Sequence, residues 1–438
     1  MTLGSCFLYA KKVFFSKSAR GADKTAGHRS LSGAVACIAV SLVPLVAVIS
    51  VSSGMISGIT GRLITLSSHD IQVVLDSGCK KTETMENFLE AADSYSTLES
   101  VVKVNPEVRG MGLAAGASYR SGATIRAVKQ DVFNDSTFSD FFHVVEGTVD
   151  LTSKKNAVIG QKLAQDLELH PGDTLRLISL STKNERISPK VNLFKVTGIV
   201  SSGYQELDAL WVFVPLENAF TSFRGCSMEF ILGLDTDCTF DSGLEKVMSD
   251  VRKKLVADED SGSSTAGTWR SVNAAQFENF ASTKALLVVI MFAIILVASI
   301  NISSAIVMIV MERRKEIAIL KSTGGSSSGI ALAFVMTGLF AGISGILIGV
   351  PCGLLVSVFI NPIISGIEVV LNFVLSFAGA GHVKLLDPAF YLQEIPVVIP
   401  WNEVALIIVM TLILSAVMSV IPSVRAGKSK IIETLSKN

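Results

Sequence analysis

Residues able to do covalent chemistry are sparse in this 438-residue chain, and their spacing defines no active centre. Metal-assisted hydrolysis would use a pattern such as H-E-x-x-H, with two imidazoles one helical turn apart. None of the five histidines has such a partner, and His143 and His170 read as surface or structural groups, so no metal site is expected. Acyl transfer would use a G-x-S-x-G elbow, which the sequence lacks. Nucleotide hydrolysis would use G-x-x-x-x-G-K-[ST]. Gly427-Lys428-Ser429 matches its end, but Pro422 stands at the first glycine position and no βαβ pattern follows. The dense constellation is Met311–Ser326 (MERRKEIAILKSTGGS). There Glu312, Arg313, Arg314, Lys315, Glu316 and Lys321 surround Ile317 and Leu320, and Gly324-Gly325 supplies a helix stop. Such a two-faced helix suits docking of a partner. The plainer alternative is a turn whose arginines snorkel.

The elements around that helix follow from where charge is missing. No Asp, Glu, Lys or Arg lies between Arg29 and Arg62, Lys284 and Glu312, Lys321 and Glu368, or Glu403 and Arg425. A bilayer core of roughly 30 Å needs about 20 apolar residues as a helix, and each stretch supplies them. Charged residues make up 17% of the chain, and mean hydropathy is +0.52. Both fit a partly membrane-embedded protein, and the zero net charge gives no field for nucleic acid. The expected spans are 31–55, 283–310, 329–360 and 403–423. Basic residues crowd 1–30, 311–328 and 424–438, which the positive-inside rule puts in the cytoplasm with both termini. The first stretch is too long for a signal-peptide core and reads as an uncleaved anchor. A fifth span at 363–380 would strand Glu368 in hydrocarbon at a cost of about 3 kcal/mol. Within the loop 361–402, that segment is therefore expected to be a re-entrant or interfacial helix.

Residues 56–282 form the large extramembrane insertion, expected outside. Strand patterns occur at 69–75, 174–178, 194–200 and 210–214, and helical patterns at Met85–Tyr95, Gly160–Leu167 and Asp241–Leu255. The predicted fold is a membrane protein with four transmembrane α-helices and a large α+β periplasmic domain inserted between helices 1 and 2, in one or two lobes. Its three cysteines, Cys79, Cys226 and Cys238, leave two arrangements open, a Cys226–Cys238 disulfide or three free thiols.

Arg314–Lys321 (RKEIAILK) with its small-residue turn resembles the hallmark of FtsX-like ABC permeases. Trp269-Arg270, Asn273 and Phe277, the span ending Val297–Ile302, Ile159-Gly160 with Leu163-Ala164, Pro171-Gly172-Asp173, Gly203, Asp208 and Ile421–Ala426 are similar to the lipoprotein-releasing members. The resemblance covers nearly the whole chain. It implies a non-catalytic permease subunit of the mechanotransmission type in the bacterial inner membrane. Its expected partners are a cytoplasmic ABC ATPase, a second permease copy or paralogue, acylated lipoprotein cargo, a periplasmic carrier and membrane lipids. ATP and magnesium would sit on the ATPase, with no cofactor on this chain. ATPase coupling falls to Glu312, Arg313, Arg314, Lys315, Glu316, Lys321 and Gly324.

In the first span Gly33, Ser41, Ser50, Ser52 and Ser53 favour close helix packing. Alternatively Val48, Ser52 and Met55 line a lipid-accepting cavity. The loop Ser179–Asn192, with Asn184, Arg186 and Pro189, stands where the family grips its carrier. It lacks an extended proline-rich character and also reads as a plain surface hairpin. A macrolide- or toxin-efflux permease and an FtsX-type signalling scaffold are the alternatives to lipoprotein release.

Overall fold

The computed structural model describes residues 3–15, 26–183, 186–241, 243–258, 262–377 and 396–428. Its main helices in chain order are α1 (Leu3–Phe15), α2 (Ala26–Leu63), α3 (Met85–Ser96), α4 (Gln161–Leu167), α5 (Gly243–Ala257), α6 (Ala274–Glu312), α7 (Arg314–Ser322), α8 (Ser327–Val358), α9 (Ile360–Phe377) and α10 (Trp401–Lys428). The strands are β1 (Ile71–Leu75), β2 (Val101–Ala115), β3 (Arg120–Val128), β4 (His143–Gly147), β5 (Asn156–Gly160), β6 (Thr174–Lys183), β7 (Arg186–Ser201), β8 (Trp211–Pro215), β9 (Met228–Thr236) and β10 (Thr265–Thr268). Met55–Asn279 make one compact unit, and the apolar helices belong to the other.

Among the described residues four helices, α2, α6, α8 and α10, are long and apolar enough to cross a membrane. At 38 and 39 residues, α2 and α6 are each nearly 60 Å long at about 1.5 Å per residue, roughly twice a bilayer core. The expected limits 31–55 and 283–310 thus lie inside longer helices. Residues 363–377 fall in α9, a shorter apolar helix set off from α8 by Phe359 alone, with Val369, Val370 and Phe373 exposed.

The apolar helices meet through small residues on α8. A Cβ on Gly345 would lie 2.6 Å from Ile38, one on Gly349 2.9 Å from Leu42, and one on Gly353 2.8 Å from Val46. Branched knobs of α2 thus enter a glycine groove on α8, so close packing here depends on small residues of the third span. Gly338 and Gly342 face Ser419 and Ser415 of α10 in the same way. The N-terminal segment contributes a packed element of its own. Cys6, Ala10 and Val13 are buried on one face of α1, the Cys6 thiol donates to the Gly329 carbonyl at 3.3 Å, and Phe7 meets Phe340 edge-on.

The inserted unit is α+β and has two parts. β10, β1, β9 and β2 lie side by side, all antiparallel, with α3 connecting β1 to β2 and α5 connecting β9 to β10. That order makes a split β-α-β unit. Leu244, Val247, Val251 and Leu255 form the buried stripe of α5, at the helical spacing legible in the sequence. Between β2 and β9 the chain inserts the second part, where β2–β3–β8–β5–β7–β6 pair in turn and β6 returns to β2. This closes a six-stranded ring with no free edge among its members. An aromatic cluster of Phe133, Phe138, Phe142, Trp211 and Phe213 packs beside it.

The Cys226–Cys238 disulfide is not formed, and all six cysteines are free. Cys226 pairs with the Ser179 hydroxyl at 3.2 Å, before β9, and Cys238 bonds Asp237 after it. The nine residues of β9 separate the two by about 30 Å, whereas a disulfide needs Cα atoms within about 7 Å. Alkylation of the unfolded protein without reductant should therefore modify Cys79, Cys226 and Cys238 alike. A cross-linked 226–238 peptide in the mass spectrum would contradict this placement.

Candidate functional site

The most constrained place in the inserted unit is where α2 ends. Its last turn widens into a π-helical segment, Ile64–Ser68, closed by His69 at φ 53. The C-terminal carbonyls of a helix need donors and attract positive charge. Arg126 Nη1 donates to the Leu66 carbonyl at 2.7 Å, and Arg109 Nη2 to that of Ser67 at 3.0 Å. Arg109 and Arg126 stand directly opposite each other on β2 and β3, an unfavourable pairing alone. Glu107 resolves it, accepting from Arg126 Nε and Nη2 at 2.6 Å each and from Arg109 Nε at 3.0 Å. Burial would raise the Glu107 carboxyl, but the two guanidiniums outweigh it and hold it far below the usual carboxylate range. The Arg126 guanidinium also lies 4.4 Å over Trp211 and 5.1 Å over Phe213.

Two further ties hold the same helix end. Arg62 Nε donates to the Ser202 carbonyl at 2.8 Å, and its guanidinium covers Phe141. Gly203, at φ +69, lets the loop pass where a Cβ would lie 3.3 Å from Arg62. Asp208 secures that loop through Ser201 and Ser202. Just beyond, Asp70 Oδ2 accepts from the Thr236 N–H and hydroxyl and from the Thr239 hydroxyl, at 2.7 to 3.1 Å. The Asp70 carbonyl accepts from Trp269 N–H, and Trp269 Nε1 donates to the Thr239 carbonyl, each at 3.0 Å. Trp269 then packs edge-on against Phe277 in the first turn of α6. The end of α2 and the start of α6 are thus fixed to one patch of sheet.

The charged helix forms as read. Arg313 breaks α6 from α7, and its Nη1 reaches Glu316 Oε2 at 2.9 Å. Ile317 and Ala318 are buried, while Glu312, Arg314, Lys315 and Glu316 are exposed around Ile319, which is 60% exposed. Arg313 and Lys321 are half-buried. Gly324, at φ +94, ends the helix, with the Gly325 N–H returning to the Leu320 carbonyl.

The other candidate residues fall apart from these. Val48 is half exposed, whereas Ser52 borders a narrow gap beside a close Lys284–Glu403 ion pair. Met55, half-buried, lies across the division, in the inserted unit. Asn184 lies outside the described residues. Arg186 begins β7, and Pro189 is exposed opposite Leu180. Leu180, Ile187, Val191 and Leu193 are all exposed, giving the β6–β7 hairpin an apolar surface.

Residues 32–236 match the MacB-like periplasmic core domain, and residues 288–431 match the FtsX-like permease C-terminal model. Residues 288–431 thus belong to the FtsX-like permease segments, and the chain as a whole is similar to those permeases. This permease is 24% identical over 424 residues to the lipoprotein-releasing system transmembrane protein LolC of Neisseria meningitidis serogroup B, covering 92% of each chain. It is 25% identical over 358 residues to LolE of Haemophilus influenzae, covering 78% of this chain and 81% of that one. Among solved structures, the periplasmic region of MacB from Actinobacillus actinomycetemcomitans aligns at 12% identity with a TM-score of 0.30, covering 48% of the permease and 96% of that chain.

Glu107, Arg109 and Arg126 were not found from the sequence, although a signal exists. Arg126 interrupts an apolar strand run (ATIRAV), and Glu107 and Arg109 share one face of theirs by the period of two. Removing one member of a buried charge group leaves the others uncompensated, so Glu107→Gln should destabilise the permease by about 3–5 kcal/mol. The depressed carboxyl pKa means the contribution is complete above the ordinary value of 4.5 and fades as pH falls towards the folded value. Unfolding of the full-length protein across acid pH measures both effects. Wild-type stability in the variant would show the cluster to be dispensable.

Proposed function

We propose that this permease is the membrane subunit of an ABC complex that lifts acylated lipoproteins from the bacterial inner membrane and passes them to a periplasmic carrier. One observation carries the reading: two over-length apolar helices are fixed to one patch of a large domain, in a chain aligned nearly end to end with lipoprotein-releasing proteins. Withdrawing lipid chains from a bilayer costs about 0.8 kcal/mol per CH₂ exposed, so several chains cannot leave without an energy source. The permease carries no complete Walker A motif. ATP and magnesium therefore belong to a separate cytoplasmic ATPase.

The basic segments orient the chain with both termini in the cytoplasm and the inserted unit in the periplasm. That places α7 on the ATPase side, where Glu312, Arg314, Lys315, Glu316 and Ile319 offer a charged surface with an apolar centre. Arg313 and Lys321 flank it, and Gly324 sets its end. A push on α7 would travel along α6 to its Trp269 anchorage, in the manner of mechanotransmission. A second permease copy or paralogue completes the lipid cavity, with Val48, Ser52 and Met55 on this chain's side and membrane lipids around it. The apolar face of the β6–β7 hairpin, at Arg186 and Pro189, is the carrier's docking place.

Depletion of the permease in its own cell, followed by fractionation of acylated lipoproteins, tests the function. Outer-membrane lipoproteins should accumulate in the inner membrane; unchanged sorting would overturn the assignment and favour efflux. Charge reversal at Arg313 and Arg314 tests the coupling helix separately. The double variant should insert normally yet lose most transport, with ATPase activity no longer responsive to cargo. Normal transport would remove α7 from the mechanism.

A further inference from the structure

A cavity of about 510 Å³ opens beside the Asp70 anchorage, entirely within the inserted unit. Its size suits a small molecule. Phe138, Phe141 and Phe240 form aromatic wall, and Ile64 and Thr65 from the end of α2 contribute a further side. Its charges are unevenly satisfied. Lys103 Nζ meets Asp135 at 2.5 Å, and Asp235 uses both oxygens, one on His69 Nδ1 at 2.8 Å and one on Asn105 at 2.6 Å.

Asp70 differs. It is 4% exposed, and its three side-chain bonds all come from neutral donors to Oδ2. Among the described residues no cation bonds it, and Oδ1 accepts no hydrogen bond from them and is not sealed from the cavity. Burial pushes its carboxyl above the usual range, although the threonine bonds oppose this. A carboxylate oxygen that lines a cavity without a protein donor can take a ligand cation as its partner, in a charge-assisted bond stronger than a neutral one. No group of three His, Cys, Asp or Glu among the described residues is arranged to hold a metal ion. Aromatic walls instead favour an organic ammonium, which is attracted to ring faces and sheds water more readily than a hard metal ion.

We propose that this cavity binds a primary ammonium carried on an apolar body, with Asp70 Oδ1 as its counter-ion and the phenylalanine walls around its body. Two sources share that chemistry, a soluble aryl- or alkylamine and the ethanolamine headgroup of a phospholipid. The site is independent of the transport reading, since it needs neither the ATPase nor cargo.

The probe is 2-phenylethylamine, titrated into full-length permease in phosphatidylcholine nanodiscs. Trp269, whose ring lies 5.8 Å from Phe240, reports occupancy through its fluorescence. A saturable change is expected, with 2-phenylethanol at least tenfold weaker because it lacks the charge. Asp70→Asn keeps a carbonyl oxygen for Thr236 and Thr239 but removes the charge, and should also weaken binding at least tenfold. Phe240→Ala removes wall at a side chain 69% exposed, where folding tolerates change, and should weaken it severalfold. Equal responses to amine and alcohol, or unchanged affinity in both variants, would overturn the proposal. Competition by lysophosphatidylethanolamine, with none by lysophosphatidylcholine, would assign the ammonium to a lipid headgroup. Competition by neither would assign it to a soluble amine.

Discussion

The inserted unit depends most on a carboxylate shared by two guanidiniums at the end of a helix. Buried ion pairs contribute little to net stability, because desolvation offsets most of their attraction. Their strength lies in direction. Glu107 fixes Arg109 and Arg126 on adjacent strands, and those two in turn hold the carbonyls of Leu66 and Ser67. An apolar contact would allow the helix to rotate or slide, whereas charge-assisted bonds of defined geometry do not. Arg62 on Ser202, and Trp269 on Asp70 and Thr239, add constraints at the same place. The helix end is thereby over-determined.

The apolar helices are joined on a different basis. In lipid there is no hydrophobic gain from helix association, so close approach and dispersion must supply it. The α8 glycines provide that approach, with Ile38, Leu42 and Val46 on one side and Ser415 and Ser419 on the other. The two units thus divide the kinds of cohesion between them. Directional polar bonds fix helix ends in the inserted unit, and non-directional packing holds the spanning helices.

How much was legible in the sequence varied with the range of the interaction. Charge-free runs marked the apolar helices, because the bilayer imposes length and composition on a local segment. The stripe Leu244, Val247, Val251 and Leu255 marked α5, since helical spacing is a local signal. β2 and β3 were missed. Pro106, Gly110 and Gly112 dilute the strand pattern of β2, and those glycines exist for close neighbours, Met228 at 2.1 Å and the Ile178 carbonyl at 2.7 Å from a would-be Cβ. Closure of the ring through β6 is a long-range pairing that no local window contains. The charged α7 helix was readable from residue types alone. The Glu107 cluster was not, because it appears only when two strands come into register.

The π-helical turn at Ile64–Ser68 carries a consequence for how this architecture varies. In an α-helix, adding or deleting one residue turns everything beyond it by about 100°. A segment bonded across five residues, as His69 N–H is to the Ile64 carbonyl, holds one residue more per turn than its α-helical equivalent. It behaves as a phase adapter between the periodicity of α2 and the alternation of β1. Leu66 faces the core, while Ser68 bonds back to Leu63. The length of the helix and the angular setting of its terminus can therefore change separately. A lineage could lengthen its membrane-crossing helix by one residue and restore the angular setting by converting five residues from one helical form to the other.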